Sequence, residues 1–209
     1  MDRNFIRSYD LAAIDPDLDI PAFNAALRRR VTMHPSLTLR ADGSVGDYRQ
    51  TGDKGPGSLL EDQAPELVRL RGYFERLLSN FREELPENPA HPFLKFKNVP
   101  APISLFWGLV NRNTKDIATH RHGDGTFATG IYYAHEAEDV YDPTNPRSGW
   151  FEALRSDLNI DMDPADILEF ETRPGRFLFL PAYFFHRAMP TVLSRKRVSI
   201  VADFNFAPR

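Results

Sequence analysis

Six histidines occur in the chain, and two of them fall in the run Thr119-His120-Arg121-His122-Gly123-Asp124-Gly125, with a third candidate, His186, far downstream. The chain has no cysteine. Disulfide frameworks, thiolate zinc sites, iron–sulfur clusters and cysteine nucleophiles are therefore excluded together, and a bound metal would have to rest on His, Asp or Glu. Residues i and i+2 of a strand share a face, so His120 and His122 can converge on one point; His122 and Asp124 can do so across the strand end. Either pair, joined by a histidine from a distant strand, makes a facial triad that leaves about three positions open on an octahedral Fe(II). Two solvated histidines beside a Gly-Asp-Gly turn are the plain alternative.

The C-terminal part of the chain favours the triad. Gly175-Arg176-Phe177-Leu178-Phe179-Leu180-Pro181 reads as an apolar strand leading into Ala182-Tyr183-Phe184-Phe185-His186, which sets one imidazole just beyond a buried run. Arg197-Val198-Ser199 then opens the last strand. Arg197 and Ser199 share a face, and a guanidinium beside a hydroxyl is a suitable bidentate receptor for the terminal carboxylate of a dicarboxylic acid.

These groups need a scaffold, and the chain is long enough to build one. Its 209 residues suggest one compact domain, since domains average roughly 150 residues. Such a domain buries enough surface to fold without a structural metal. Residues 1–95 read as a helical and loop segment packing on a core formed by residues 96–209. A short helix starts at Pro21, residues 41–58 are loop-like, and residues 65–85 form a longer helix. Its apolar stripe comprises Leu67, Leu70, Phe74, Leu77, Leu78 and Phe81. After Pro86 the texture becomes short apolar runs separated by Pro, Gly and Asp. Strands are expected over 103–111, 116–122, 126–134, 167–172, 176–180 and 198–206, which argues for an antiparallel sandwich or barrel. Residues 136–166 read as an insertion beside the barrel mouth.

With 26 Lys+Arg against 29 Asp+Glu, the net charge of −3 creates no field that would attract nucleic acid or an anionic membrane. The N-terminus lacks the apolar core of a signal peptide, and no segment reaches the roughly 20 apolar residues of a bilayer span. A soluble, cytoplasmic protein is expected.

From Trp107 to Pro208 the sequence resembles the 2-oxoglutarate and Fe(II)-dependent oxygenases that also occur fused to tetratricopeptide repeats. The residues that carry the likeness, in order, are Phe106-Trp107, His120-Arg121-His122, Gly130-Ile131-Tyr132-Tyr133, Gly149-Trp150 and Gly175-Arg176-Phe177. They continue with Pro181-Ala182-Tyr183-Phe184-Phe185-His186-Arg187-Ala188-Met189-Pro190 and Arg197-Val198-Ser199-Ile200. The resemblance implies a mainly β chain with N-terminal helices around a double-stranded β-helix, or jelly-roll, core. It also implies Fe(II) with 2-oxoglutarate as co-substrate, hydroxylation of a C–H bond with release of succinate and CO2, His186 as the distal ligand and Arg197 as the carboxylate anchor. His120 and His122 are the near pair by this likeness, whereas the wider superfamily's His-x-Asp spacing would select His122 and Asp124. Gly123 stands where the family usually has proline, and Ala128-Thr129 replace Leu-Ser, so the loop at the site departs locally.

One of Tyr132 and Tyr133 can face the barrel interior and hydrogen-bond 2-oxoglutarate, with Tyr132 taken as the candidate; Asn111 is a further one by resemblance. The substrate would be a small molecule or a peptide. Residues 136–171 hold eleven acids against two arginines, which hints at a cationic substrate, although a solvated acidic loop explains the same composition. The competing class is a cupin-type metal-binding barrel, an isomerase or small-molecule binding protein. Its His-x-His is normally followed three or four residues on by glutamate, and here those positions hold Thr126 and Phe127.

Overall fold

The computed structural model describes residues 5–39, 48–87, 91–111, 119–123, 125–154, 167–191 and 196–206. Two helices begin where short polar residues can satisfy free N–H groups. In α2 (Ile20–Thr32) the Asp19 carboxylate accepts from the Ala22 N–H at 3.0 Å. Ahead of α3 (Pro65–Glu84), Asp62 accepts from the Ala64 N–H at 3.0 Å, and Pro65 occupies the first turn, where its missing N–H costs nothing. The apolar stripe of α3 is buried as its periodicity predicts, joined by Tyr73. A single turn, α1 (Leu11–Ile14), precedes α2.

The strands are β1 (Arg7–Asp10), β2 (Thr38–Leu39), β3 (Tyr48–Gln50), β4 (Ile103–Asn111), β5 (Thr126–Tyr133), β6 (Phe151–Leu154), β7 (Ile167–Phe170), β8 (Arg176–Pro181), β9 (His186–Ala188) and β10 (Arg197–Asn205). They make a major sheet in the order β1-β8-β5-β10-β4-β3-β2 and a minor sheet in the order β7-β6-β9. Every pairing within them is antiparallel. The result is mainly antiparallel β, a jelly-roll core with a few helices.

Both faces of the major sheet are covered, which is why β10 is buried along nearly its whole length instead of alternating. On one face the ring of Phe74 in α3 meets Phe177 at 5.1 Å, Phe106 at 5.8 Å and Phe179 at 6.0 Å between centroids. Each fully buried ring contributes about 1.5–3 kcal/mol. The approach is close enough to require glycine beneath it, since a Cβ on Gly130 would lie 2.8 Å from the Phe74 ring. The opposite face looks toward the minor sheet and encloses a cavity of about 380 Å³. Leu105, Trp107 and Leu109 of β4, Ile131 and Tyr133 of β5, and Arg197, Ser199, Val201 and Asp203 of β10 line it at alternate positions.

Strand β4 matches its expected span, and β5, β7, β8 and β10 lie within two residues of theirs at each end. Other elements differ. The expected loop over 41–58 contains β3, which pairs with β4, and a 3₁₀ turn at Gly55–Gly57; residues 40–47 lie outside the described residues. No strand is formed by the described part of 116–122, where His120 makes one antiparallel bridge to His186. The insertion over 136–166 contributes β6, the central strand of the minor sheet. The first 95 residues lay α2 and α3 on the sheet and also supply β1 at one edge and β2 and β3 at the other. Among the described residues, no helix is long and apolar enough to cross a membrane.

Candidate active site

Backbone pairing brings the three histidines together. His120 and His186 exchange N–H to carbonyl hydrogen bonds of 3.0 and 2.8 Å, and the His122 N–H donates to the Ala182 carbonyl at 3.1 Å. The segment carrying the near histidines is thereby laid along the one that delivers His186. Ring centroids are 4.4 Å apart for His120 and His186, 5.1 Å for His122 and His186, and 5.7 Å for His120 and His122. One ring nitrogen from each lies within 4.8 Å of the others. Asp124, the alternative third donor, is outside the described residues.

The surroundings set the protonation of His186. The Phe184 carbonyl, 3.0 Å from His186 Nδ1, can only accept, so Nδ1 carries the hydrogen and Nε2 keeps its lone pair. Burial, then the neighbouring His120 and His122, hold the His186 pKa well below its ordinary value, so the ring stays in its neutral, metal-binding form. Phe151 stacks on His186 at 5.2 Å and Trp107 lies 5.9 Å from His122, which shields the inner side of the cluster from water. His120, Arg121 and Gly123 are exposed while His186 is buried, so the cavity opens on the His120 side. Three imidazoles with a shared focus and an open side fit a first-row divalent ion.

Arg197 occupies the same cavity, and its side chain is almost fully buried. Its Nη1 donates to the Gly149 carbonyl at 2.9 Å, its Nε has no partner, and no carboxylate among the described residues pairs with it. Gly149 also accepts from Thr172 Oγ1 at 2.9 Å and holds φ at +68°, a conformation that favours glycine. Burial lowers the Arg197 pKa from its usual value, yet a guanidinium remains charged in proteins. A buried cation without an anionic partner is costly, and an anion in the cavity relieves that cost. Ser199, two residues along the same face, is buried beside the same space.

The tyrosine candidate is corrected. Tyr132 faces the helices: it packs on Phe177 at 4.6 Å, and its hydroxyl donates to Asn24 Oδ1 of α2 at 2.5 Å. Tyr133 lines the cavity, and burial raises its pKa, keeping it a neutral phenol able to donate. Asn111 is paired in register with Arg197 and lies on the same face of β4 as Trp107 and Leu109, but it is not part of the cavity lining. Two residues that sequence reasoning missed are Asp203, which contacts His122, and Thr129, which contacts Asp203. The signal was available, because the alternation that aligns Arg197 with Ser199 also carries Val201 and Asp203 inward.

His135, immediately beyond the cavity, gives a pH-dependent prediction. It is fully buried, its ring is 5.7 Å from Tyr133, and burial followed by the Arg197 charge depresses its pKa to about 3. Above the unfolded value of about 6.5 neither state binds this proton. Between about 6.5 and 3 the unfolded chain takes it up and the folded chain does not, so stability should fall by up to about 1.4 kcal/mol per pH unit. His135→Gln should reduce the slope of unfolding free energy against pH by nearly one proton between about pH 5.5 and 3.5, measured by urea denaturation. An identical slope in both proteins would show that folded His135 already binds the proton.

Residues 105–203 match the model of the family described as "Putative 2OG-Fe(II) oxygenase". That stretch is just under half of the chain and is similar to the 2-oxoglutarate/Fe(II) oxygenases, whose cofactors are Fe(II) and 2-oxoglutarate. Among solved structures, a Pseudomonas putida prolyl-4-hydroxylase is similar at 14% identity and TM-score 0.65, over 97% of this chain and 93% of that one. A Trichoplax adhaerens prolyl hydroxylase in complex with a peptide fragment of the hypoxia inducible factor oxygen degradation domain aligns at 10% identity and TM-score 0.59, over 97% and 84%. HygX from Streptomyces hygroscopicus, with nickel and 2-oxoglutarate bound, aligns at 13% identity and TM-score 0.61, over 97% and 83%. At these identities the likeness establishes the fold. No curated protein matches the sequence.

Proposed function

We propose that the protein is a 2-oxoglutarate- and Fe(II)-dependent dioxygenase that hydroxylates a C–H bond of a small molecule or peptide, releasing succinate and CO2. One observation carries this reading: three histidines with a shared focus open onto the cavity that also contains the buried Arg197 guanidinium. In it His120, His122 and His186 hold the metal, and Arg197 with Ser199 receives the distal carboxylate of 2-oxoglutarate. When bound, the iron activates dioxygen at the expense of 2-oxoglutarate decarboxylation.

The chain's own contribution is placement and exclusion of water. Arg197 offers a planar, charged fork whose position is set by the Gly149 carbonyl, so the co-substrate has one preferred orientation. Tyr133 can add a hydroxyl from the neighbouring strand, and Leu109, Ile131 and Val201 keep the intervening space apolar. Burial holds His186 in the neutral form, so that imidazole need not lose a proton to bind. Substrate would enter from the exposed side, past His120 and Arg121.

The test is an anaerobic titration of Fe(II)-loaded protein with 2-oxoglutarate, followed by admission of air. Binding at one per iron, and succinate equal to the 2-oxoglutarate consumed, is the expected result. Iron-loaded protein that neither binds 2-oxoglutarate nor yields succinate would overturn the proposal.

A further inference from the structure

We infer that Asp203 is a positioning residue of the metal centre, which fixes the His122 imidazole and delivers through it the negative charge that a three-histidine donor set lacks. The inference rests on the reading of His120, His122 and His186 as the ligands. Asp203 is only 3% exposed, and both its oxygens are engaged. Oδ2 lies 2.8 Å from His122 Nδ1, and Oδ1 accepts from Thr129 Oγ1 at 2.7 Å. Thr129 is fully buried on β5 and sits directly opposite Asp203 of β10 in the sheet register, so two paired strands set the carboxylate's position.

The chemistry of the contact assigns the tautomer. An ionised carboxylate can only accept, so His122 Nδ1 must carry the hydrogen, and the other nitrogen, Nε2, keeps its lone pair for a metal. A carboxylate in this place also makes the imidazole a more basic ligand, and the loss of such outer partners typically costs 10–100-fold in metal affinity. His186 is held through Nδ1 too, but by the Phe184 carbonyl, a neutral dipole. Asp203 is thus set to return, one hydrogen bond removed, the charge that a directly bound carboxylate would place on the ion in a two-histidine site.

Asp203→Asn separates geometry from charge. The amide can still accept from His122 and can donate to Thr129 Oγ1, so both contacts persist while the negative charge is lost. Co(II) affinity by calorimetry and the Fe(III)/Fe(II) midpoint potential of the loaded protein are the readouts, with His122→Ala and Asp203→Ala measured alongside. Asp203→Ala should lose 10–100-fold in Co(II) affinity. Asp203→Asn should lose less, and its potential should become more positive, because the more highly charged ferric state forfeits a nearby negative charge. His122→Ala should lose more affinity than either. Wild-type affinity and potential in both Asp203 variants, with binding abolished in His122→Ala, would overturn the role of Asp203 while leaving the ligand assignment intact. Full Co(II) affinity in His122→Ala would instead overturn the ligand assignment. Should the alanine variant fail to fold, Asp203→Asn decides the question alone, since it keeps both hydrogen bonds.

Discussion

Replacing Arg197 with alanine should weaken 2-oxoglutarate binding to the metal-loaded protein by about 30-fold to several thousand-fold, the equivalent of roughly 2–5 kcal/mol. The size of the effect follows from burial. The guanidinium is 3% exposed and has no carboxylate partner among the described residues, so a bound anion would meet a charge scarcely screened by water. Removing it leaves a desolvated carboxylate facing Ser199 and Tyr133 alone. Arg197→Lys should recover only part of the loss, because an ammonium restores the charge without the planar fork. Metal affinity should be nearly unchanged, since Arg197 is not among the clustered ligand groups. Anaerobic calorimetry with 2-oxoglutarate reads the effect. Unaltered binding in Arg197→Ala would place the carboxylate elsewhere in the cavity.

His186→Ala should reduce metal affinity by more than the 10–100-fold typical of outer-sphere changes, and bound iron after dialysis should fall to background. Three considerations make His186 the most sensitive of the three proposed ligands. It comes from a different part of the chain than His120 and His122, so its loss turns a three-point site into a local pair. Its ring is buried and stacked on Phe151, so it is held in place by packing. Its Nδ1 is tied to the Phe184 carbonyl, so the ring is oriented before any ion arrives. His186→Gln, which better preserves the packing, should bind metal as poorly as His186→Ala if the imidazole itself is needed. Full occupancy in either variant would show that the cluster is not the metal site. Elemental analysis of dialysed protein, with thermal unfolding as a check of folding, makes the comparison.

Much of this site was legible before any tertiary contact was considered, because period alone carries it. The six-position stripe of α3 and the apolar runs of β4, β5, β8 and β10 follow from helical and strand spacing, and β4 falls on its expected residues. The same spacing places Arg197 with Ser199, and the absence of cysteine confines any metal to imidazole and carboxylate. Short elements were different. β1, β3, β6 and β9 have three or four residues each, and they are strands only because a partner remote in sequence pairs with them.

Parity shows the division most clearly. Strand alternation requires Tyr132 and Tyr133 to point to opposite faces, yet it carries no information on which face holds the cavity. Packing of α3 on the Gly130 side decides that, sending Tyr132 into the helix layer and Tyr133 toward the histidines. His120 joins His122 and His186 through its reciprocal backbone bridge to His186. Asp203 reaches His122 because β10 and β5 are adjacent and register it against Thr129. Residue types and local periods were thus determined by the sequence itself. Tertiary structure chose which face, which partner and which register, because those depend on hydrogen bonds between strands as remote in the chain as Arg7 and Phe179.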